Sequence, residues 1–165
     1  MKIVIRLVLL AAFIAIGFWL WSALFPSPEK VIRNRLNKAA RLASFTAAEG
    51  NIARVANIEA LGTYFTDEIE IKIDVPNYES HTFTRREELT QAAMAARSVS
   101  SSVKADFPDI TIDLDAGGQT ATASVTLRVD INGEKDAVIQ ELKIYLKKVN
   151  GDWLVYRLDT LRTLH

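Results

Sequence analysis

The sequence predicts an α+β protein in which one N-terminal transmembrane helix precedes a single domain of three helices and an antiparallel sheet. Residues 7–25 form an uncharged apolar run, and residues 28–45 alternate between apolar and polar side chains at helical spacing. Segments between residues 110 and 161 alternate at the period of a strand and are separated by tight turns. These three observations predict an anchor over residues 1–26 and a globular domain over residues 27–165.

The apolar run is long enough to form a membrane-spanning helix. It contains 19 residues without a charge, and eleven of them are Leu, Ile, Val or Phe. At about 1.5 Å per residue such a helix reaches roughly 28 Å, close to the thickness of the hydrocarbon layer. We expect Trp19 and Trp21 to lie at the membrane interface, where indole rings suit the headgroup layer. Pro26 and Pro28 then end the helix.

A cleaved signal peptide is the alternative interpretation of this run. Its apolar region would be shorter, and small residues would precede the cleavage site, whereas Leu20 and Trp21 precede Ser22 and Ala23. Basic residues flank both ends of the run, so their number does not set its orientation. A very short basic tail is nevertheless typical of a signal anchor. We therefore expect a single-pass protein of the cytoplasmic membrane, with its domain in the periplasm or outside.

Composition excludes several classes of function. After Pro26 the chain carries 18 basic and 20 acidic residues, a net charge of −2, whereas a nucleic-acid binder would have a basic excess. There are no cysteines, which excludes disulfides, thiolate metal sites and a cysteine nucleophile. Only two histidines are present. We therefore expect no metal, no cofactor and no nucleic-acid partner.

Three helices are expected in the domain. Serine, proline and glutamate at residues 27–29 start the first helix, which should end near residue 45. Its basic face is either solvated or in contact with anionic lipid headgroups. Asn51 is expected to cap a second helix that runs to about residue 61. Thr84 and Glu87 have the spacing of a capping box, which predicts the start of a third helix.

Strands occupy most of the remaining sequence. Ile69, Ile71 and Ile73 alternate with charged residues, and residues 79–83 should return as a short partner strand. Alternating segments near residues 110–114, 125–131, 142–146 and 153–161 predict an antiparallel meander. The dipeptides Asn-Gly at residues 132–133 and 150–151 are strong signals for tight turns between them.

The order of these elements and the short junctions between them resemble a known superfamily. The junctions are EGN at residues 49–51, YFTDE at 64–68 and NGDWLV at 150–155. Over roughly residues 29–163 the chain resembles the nuclear transport factor 2-like proteins, which share the cystatin-like cone fold and include ketosteroid isomerase and polyketide-cyclase-like proteins. The resemblance is to the membrane-anchored bacterial type, which includes assembly factors of type IV secretion machines.

The resemblance implies a strongly curved sheet that wraps around the helices and leaves a conical cavity. In some members this cavity is an active site, and others bind a second copy or a partner through the outer sheet face. Tyr64, His81 and Tyr145 are the candidate cavity-lining residues. The first helix contains no tyrosine where isomerase-like members place an oxyanion donor, and Asp74, a possible base, should be an exposed strand acid.

Two further motifs have simpler explanations than a ligand site. Gly117-Gly118 lies between two predicted strands with no helix after it, so it is a turn rather than a phosphate loop. The acids at residues 106, 109, 113 and 115 do not have the spacing of a calcium-binding loop.

The predicted function is therefore that of a non-enzymatic, membrane-tethered interaction or scaffold module. We expect an accessory subunit of a cell-envelope membrane-protein complex, with the lipid bilayer and other membrane proteins, or a second copy as a homodimer, as partners. A secretion or conjugation assembly factor is a narrower version of this hypothesis. The alternative is a cavity protein that binds a small apolar ligand or is polyketide-cyclase-like. That alternative requires a cavity that side chains do not fill.

Overall fold

The computed structural model describes residues 12, 14, 16, 17, 26–73, 81–133 and 137–161. Most of the predicted anchor, including Trp19 and Trp21, lies outside these residues, as do Asp74 and His165. Within the described part of the chain, no helix is long and apolar enough to cross a membrane. The helices are α1 (Pro28–Ala43), α2 (Asn51–Gly62) and α3 (Arg86–Val99). The strands are β1 (Phe65–Ile73), β2 (His81–Arg85), β3 (Val103–Leu114), β4 (Thr120–Ile131), β5 (Val138–Val149) and β6 (Asp152–Thr160).

The six strands form one sheet in the order β2-β1-β6-β5-β4-β3. Neighbouring strands are antiparallel except β1 and β6, which run parallel. The register shifts within β1, between Asp106 and Asp109 of β3, and where β5 pairs with β6. Such bulges bend strands and increase their twist, so the sheet is curved. The predicted α+β class, with three helices on an antiparallel-dominated sheet, is confirmed.

The main core lies between α1 and one face of the sheet, which we call the inner face. Ile32 and Leu36 project from α1 at helical spacing and are buried. They pack among inner-face side chains from four strands, namely Ile110, Ala121, Ala123, Val125, Leu142, Ile144, Leu146, Trp153 and Val155. The apolar stripe that predicted the first helix is thus the stripe that covers the sheet.

A smaller core lies at the other end of the sheet. Ile69 and Ile71 of β1 and Phe83 of β2 are buried together, and Leu89 and Ala92 of α3 pack against them. Phe65 and Leu158 contact both cores and so connect them. The domain therefore has one continuous apolar layer between its helices and its sheet.

The first helix ends two residues earlier than predicted because β pairing competes with helical hydrogen bonding. The amide of Phe45 donates to the carbonyl of Val103 at 2.8 Å, and the amide of Val103 donates back at 3.0 Å. The Ser44 hydroxyl accepts from the amide of Ala105 at 2.9 Å. This short pairing covers the start of the edge strand β3, where unpaired backbone groups would otherwise be exposed.

Two predicted helix caps are displaced by one residue. Gly50 rather than Asn51 is the N-cap of α2, because Asn51 is already the first residue of the helix. Glu88 rather than Glu87 closes the start of α3, where its carboxylate accepts from the amide of Arg85 at 3.3 Å and from that of Thr84 at 2.9 Å. The three helices of the domain were predicted correctly, and only their terminal residues were wrong.

The tight turns follow the sequence closely. Asn132 and Gly133 have φ of 53° and 70°, and Asn150 and Gly151 have φ of 52° and 92°. Two successive left-handed residues are what a type I′ turn requires, and Val149 pairs with Asp152 across Asn150-Gly151, so this tight turn is confirmed. Near Asn132-Gly133 the hairpin of β4 and β5 is confirmed, but six residues separate the two strands, and three of them lie outside the described residues. At the β3–β4 turn the Asp115 carboxylate accepts from the amides of Gln119 and Thr120, both at 2.9 Å.

We expect Ile32→Ala to lower the free energy of unfolding by about 3 kcal/mol, because it leaves a cavity in the main core. Ile32 has no exposed surface, whereas Ile52, also a helical isoleucine, is 87% exposed. Ile52→Ala is the matched control and should change the stability by less than about 0.5 kcal/mol. Urea unfolding followed by circular dichroism measures both. Equal losses in the two variants would contradict this account of the core.

Candidate functional site

The face of the sheet opposite the helices is exposed and carries most of its polar side chains. We call it the outer face. Each of its residues either alternates along its strand with buried residues of the inner face or pairs with a residue that does so. It is formed by Glu70 and Lys72 of β1, Leu154, Tyr156, Arg157 and Asp159 of β6, Glu141, Lys143, Tyr145 and Lys147 of β5, Thr120, Thr122, Ser124 and Thr126 of β4, and Asp109, Thr111 and Asp113 of β3.

Two tyrosines lie at the centre of the outer face and are surrounded by cations. The rings of Tyr145 and Tyr156 are 6.3 Å apart between centroids. The Lys143 ammonium lies 5.9 Å from the Tyr145 centroid and the Arg157 guanidinium 5.3 Å from it, while the Lys147 ammonium lies 5.6 Å from that of Tyr156. Each such contact contributes about 0.5–1 kcal/mol at an exposed site. The tyrosines are therefore held in place although they are only half-buried.

Four charged residues next to the tyrosines form an ion-pair network across β1 and β6. Glu70 accepts from Lys72 at 2.8 Å and lies 3.7 Å from Arg157, which pairs with Asp159 at 2.9 Å. The hydrogen bond from Lys72, followed by the charge of Arg157, lowers the pKa of Glu70 below its usual 4.5. The hydrogen bond to Asp159 and its charge raise the pKa of Arg157. The network fixes four side chains in one arrangement on the surface.

The three candidate cavity residues do not meet in one place. Tyr64 is half-buried at the α2–β1 junction, where the Arg35 guanidinium lies 4.8 Å above its ring and reaches Asp152 at 2.9 Å. His81 is exposed at the start of the edge strand β2, with its ring 4.5 Å from that of Phe83. Tyr145 lies on the outer face, because the buried Ile144 and Leu146 flank it on β5. The structure thus distributes them over three separate surfaces.

Two depressions on the surface of the described residues lie outside the space between the helices and the inner face. The larger, of about 510 Å³, is open to solvent at the Ser44–Val103 edge of the sheet. Its lining residues are Ser44, Phe45, Thr46, Glu49, Ser102, Val103, Lys104, Asp130 and Gly133. The smaller, of about 170 Å³, lies on the outer face and is lined by Asp109, Thr111, Ser124, Val125, Thr126, Glu141, Leu142 and Leu161.

A buried ion pair lies beside the larger depression and was not predicted from the sequence. The Arg97 side chain is 1% exposed, its Nε donates to Glu49 at 3.3 Å and its Nη2 to the carbonyl of Leu42 at 2.6 Å. Its guanidinium also lies 5.0 Å from the Phe45 ring centroid. The pair joins α3 to the α1–α2 loop. Removing one partner of such a buried pair lowers the free energy of unfolding by about 3–5 kcal/mol. The signal in the sequence that could have revealed it is the position of Arg97, which lies at helical spacing from Leu89 and Ala93 on the apolar face of α3.

The described residues contain no cluster of three or more histidine or acidic side chains that could hold a metal ion. The acids of β3 are spread along a strand instead of converging, and Asp115 uses its carboxylate within a turn. Backbone hydrogen bonds, the largest from Thr120, lower the pKa of Asp115.

Comparison with known proteins identifies the fold. No family model and no curated protein sequence matches the chain. A candidate scytalone dehydratase from Novosphingobium aromaticivorans superposes with a TM-score of 0.62 at 15% identity, over 81% of this chain and 84% of its own. A cystatin-like protein of unknown function from Nostoc punctiforme superposes with a TM-score of 0.60 at 13% identity, over 80% of this chain and 88% of its own. A nuclear transport factor 2-like protein of unknown function from Pseudomonas putida superposes with a TM-score of 0.58 at 13% identity, over 78% of this chain and 82% of its own.

These likenesses, at 13–15% identity, are evidence for the fold alone. The protein therefore has the cystatin-like fold of the nuclear transport factor 2-like proteins, as the order of its elements and its junctions indicated. What the domain does has to be inferred from its own surfaces.

We expect Glu70→Gln to reduce the dependence of stability on pH in the acid range. The pKa of Glu70 is lowered in the folded protein. Its contribution to stability is therefore complete above its usual pKa of 4.5 and is lost as the pH falls through the pKa of the folded state. The difference in unfolding free energy between about pH 6 and about pH 3 should therefore be smaller in the variant than in the wild type. Urea titrations at both pH values measure it.

Lys72→Met is the companion variant, because it removes the cation that lowers this pKa most while it keeps the Glu70 carboxylate. It should also reduce the pH dependence. A wild-type pH dependence in both variants would show that the network does not act on Glu70 in solution.

Proposed function

We propose that this protein is a non-enzymatic, membrane-tethered interaction module that binds protein partners through the outer face of its sheet. In this proposal it is an accessory subunit of a cell-envelope membrane-protein complex. The observation that carries the proposal is the outer face itself, where two tyrosines are held between fixed charges on a broad exposed surface.

The composition of the outer face supports protein binding. Tyrosine and arginine are enriched at protein interfaces and among the residues that contribute most to affinity. Tyr145, Tyr156 and Arg157 are together at the centre of this face. Because cations and ion pairs already restrain these side chains, little conformational entropy is lost when a partner orders them further.

The packing of the inner side supports the same proposal. A cavity enzyme of this fold would keep open space between its helices and its sheet, with polar groups directed into it. Here Ile32 and Leu36 of α1 enter that space and meet Ile144, Leu146 and Trp153. Among the described residues, the buried polar ones are Thr66 and Arg97, and neither belongs to this core.

The sequence of the N-terminal segment supports the tether. The uncharged residues 7–25 are followed by a helix that begins at Pro28, so few residues separate the predicted anchor from the domain. A domain held this closely would meet membrane partners at a raised effective concentration. A soluble enzyme that acts on small metabolites would have little use for such a segment.

The proposal is tested by isolating the tagged full-length protein from its own membranes in mild detergent. We expect other membrane proteins to co-purify in stoichiometric amounts. Tyr145→Ser combined with Tyr156→Ser should reduce their recovery about tenfold, because it removes the aromatic centre of the outer face.

His81→Ser is the matched control, since His81 is also an exposed ring on a strand but lies at the sheet edge, away from the two tyrosines. Its co-purification pattern should equal that of the wild type. If the wild type carries no other protein with it, the accessory-subunit role is lost.

A second candidate function is the binding of a small apolar ligand, and the larger depression is the observation that favours it. Phe45 and Val103 provide apolar surface there, and its volume of about 510 Å³ suits a small molecule. The depression lies at the rim of the sheet, and it is open to solvent, so a ligand would be only partly enclosed.

This alternative is tested with the fluorescent probe anilinonaphthalenesulfonate. If the depression binds apolar ligands, the probe should fluoresce with the wild type, and Thr46→Trp, which places an indole in the depression, should abolish the signal. Thr82→Trp on the exposed part of β2 is the control and should leave the signal unchanged. Equal signals from all three proteins would exclude the depression as the binding site.

A further inference from the structure

Positive charge is concentrated on the first helix of the domain. α1 contains five basic residues and one acidic residue, a net charge of +4. The rest of the chain after Pro26 contains 13 basic and 19 acidic residues, a net charge of −6. The helix that directly follows the predicted anchor is therefore strongly basic, whereas the remainder of the domain is acidic.

Four of the five basic residues of α1 share its exposed side, which we call the basic face. At helical spacing they form two parallel rows with an asparagine at the centre of each, namely Lys30, Asn34 and Lys38, and Arg33, Asn37 and Arg41. In the part of the chain that the structure describes, none of these four cations forms an ion pair. The fifth, Arg35, differs from them because it pairs with Asp152 at 2.9 Å. The basic face thus presents four cations that the domain itself does not neutralise.

The chain changes direction immediately before α1. Ser27 has φ of −58° and ψ of 146°, which is an extended conformation. Pro28 favours this conformation, because the proline ring clashes with a helical residue before it. A helix formed by residues 7–25 therefore cannot run straight into α1, and α1 starts in a new direction.

The link between the predicted anchor and α1 is too short to carry the helix far from a bilayer. Pro26 and Ser27 alone separate the uncharged residues 7–25 from the first residue of α1. At about 3.5 Å per residue, α1 begins within about 10 Å of the end of this run. The headgroup layer is roughly 5–8 Å thick, so α1 of a tethered protein begins at this layer or directly outside it.

We propose that the basic face of α1 lies along the membrane surface and binds anionic phospholipid headgroups. This inference rests on the tether of the proposed function. The ammonium and guanidinium groups pair with lipid phosphates, to which the amides of Asn34 and Asn37 donate hydrogen bonds. The two rows of side chains extend over about 17 Å of helix, so all four cations reach the headgroups only when α1 is parallel to the surface.

This orientation fixes the position of the sheet relative to the membrane. Ile32 and Leu36 attach the buried side of α1 to the inner face of the sheet. With the basic face on the lipid, the sheet lies above α1, and its outer face is directed away from the membrane. The acidic remainder of the domain is repelled by an anionic surface, which favours the same orientation. Lipid contact and partner binding thus use separate surfaces of the domain.

The test uses the full-length chain reconstituted into vesicles of phosphatidylcholine alone and into vesicles that also contain anionic phosphatidylglycerol. The chain has no cysteine, so Asn34→Cys introduces one unique thiol, to which a fluorophore is attached on the basic face. Lipids with a nitroxide headgroup quench the fluorophore when it lies at the surface. We expect strong quenching in the anionic vesicles, weak quenching in the neutral ones, and a loss of quenching as the salt concentration rises.

A second labelling site reports the orientation of the domain. Thr122→Cys places the fluorophore on the outer face of the sheet. Because this face is directed away from the lipid, its fluorophore should be weakly quenched in both kinds of vesicle.

Two double substitutions measure the contribution of each end of α1, namely Lys30→Gln with Arg33→Gln and Lys38→Gln with Arg41→Gln. Glutamine is nearly as favourable in a helix as lysine and arginine. Each basic residue near an anionic surface strengthens binding about fivefold, so either pair should lower the ratio of docked to undocked domains at least about tenfold. An upright α1 would instead hold the second pair about 15–20 Å from the start of the helix, beyond the screening length of about 8 Å, where it would have no effect.

Arg128→Gln with Lys148→Gln is the matched control. It also removes one arginine and one lysine, both of them exposed, but from β4 and β5. The quenching of the fluorophore on the basic face should equal that of the protein without these substitutions.

The outcomes separate this inference from the proposed function. Quenching that requires phosphatidylglycerol and is reduced by both pairs of substitutions in α1 supports the inference. An effect of the Lys30 and Arg33 pair alone overturns it. If the chain stays in the vesicles during an alkaline carbonate wash but the quenching is equal in neutral and anionic lipid, the inference fails and the tether stands; the basic face then fits an acidic protein instead. If the wash removes the chain, the tether fails, and this inference fails with it.

Discussion

The packing of α1 against the inner face of the sheet is the contact on which the rest of the structure depends. Ile32 and Leu36 fill the space that a curved sheet of this fold would otherwise leave open, and Trp153 and Leu146 close around them. Filling that space gives the domain its largest apolar core. It also leaves the outer face as the broad surface where polar and aromatic side chains are arranged together. In the proposed module, the stability of the domain and the position of its binding surface thus have one cause.

Local features of the fold could be predicted from the sequence, and features that depend on distant contacts could not. The stripe of Ile32 and Leu36 and the Asn150-Gly151 turn are encoded within a few residues, so periodicity and turn chemistry identify them. The end of α1 is set by pairing between Phe45 and Val103, which are far apart in sequence. Arg97 was missed for the same reason, because its partner Glu49 is brought close only by the packing of α3 on α2.

The candidate site also combines features that the local sequence predicts with one that depends on distant contacts. The alternation around Tyr145 could have placed it on the outer face, since Ile144 and Leu146 on either side belong to the core. The same alternation places Tyr156 there, because Trp153 and Val155 of β6 are buried on the inner face. The register shift beside Tyr145 could not be predicted, and this bulge puts Arg157 on the same face as Tyr156 instead of alternating with it. A regular strand would have directed Arg157 to the inner face.

A tether and a modest interface complement each other physically. An interface that depends on exposed charges is weak for proteins that diffuse freely. Proteins confined to one membrane meet at a much higher effective concentration, so a weak contact can be populated without a large apolar surface. Such a face also remains soluble before assembly, because its two tyrosines are shielded by Lys143, Lys147 and Arg157. In the proposed module the anchor therefore supplies proximity, and the outer face supplies specificity through its charge pattern.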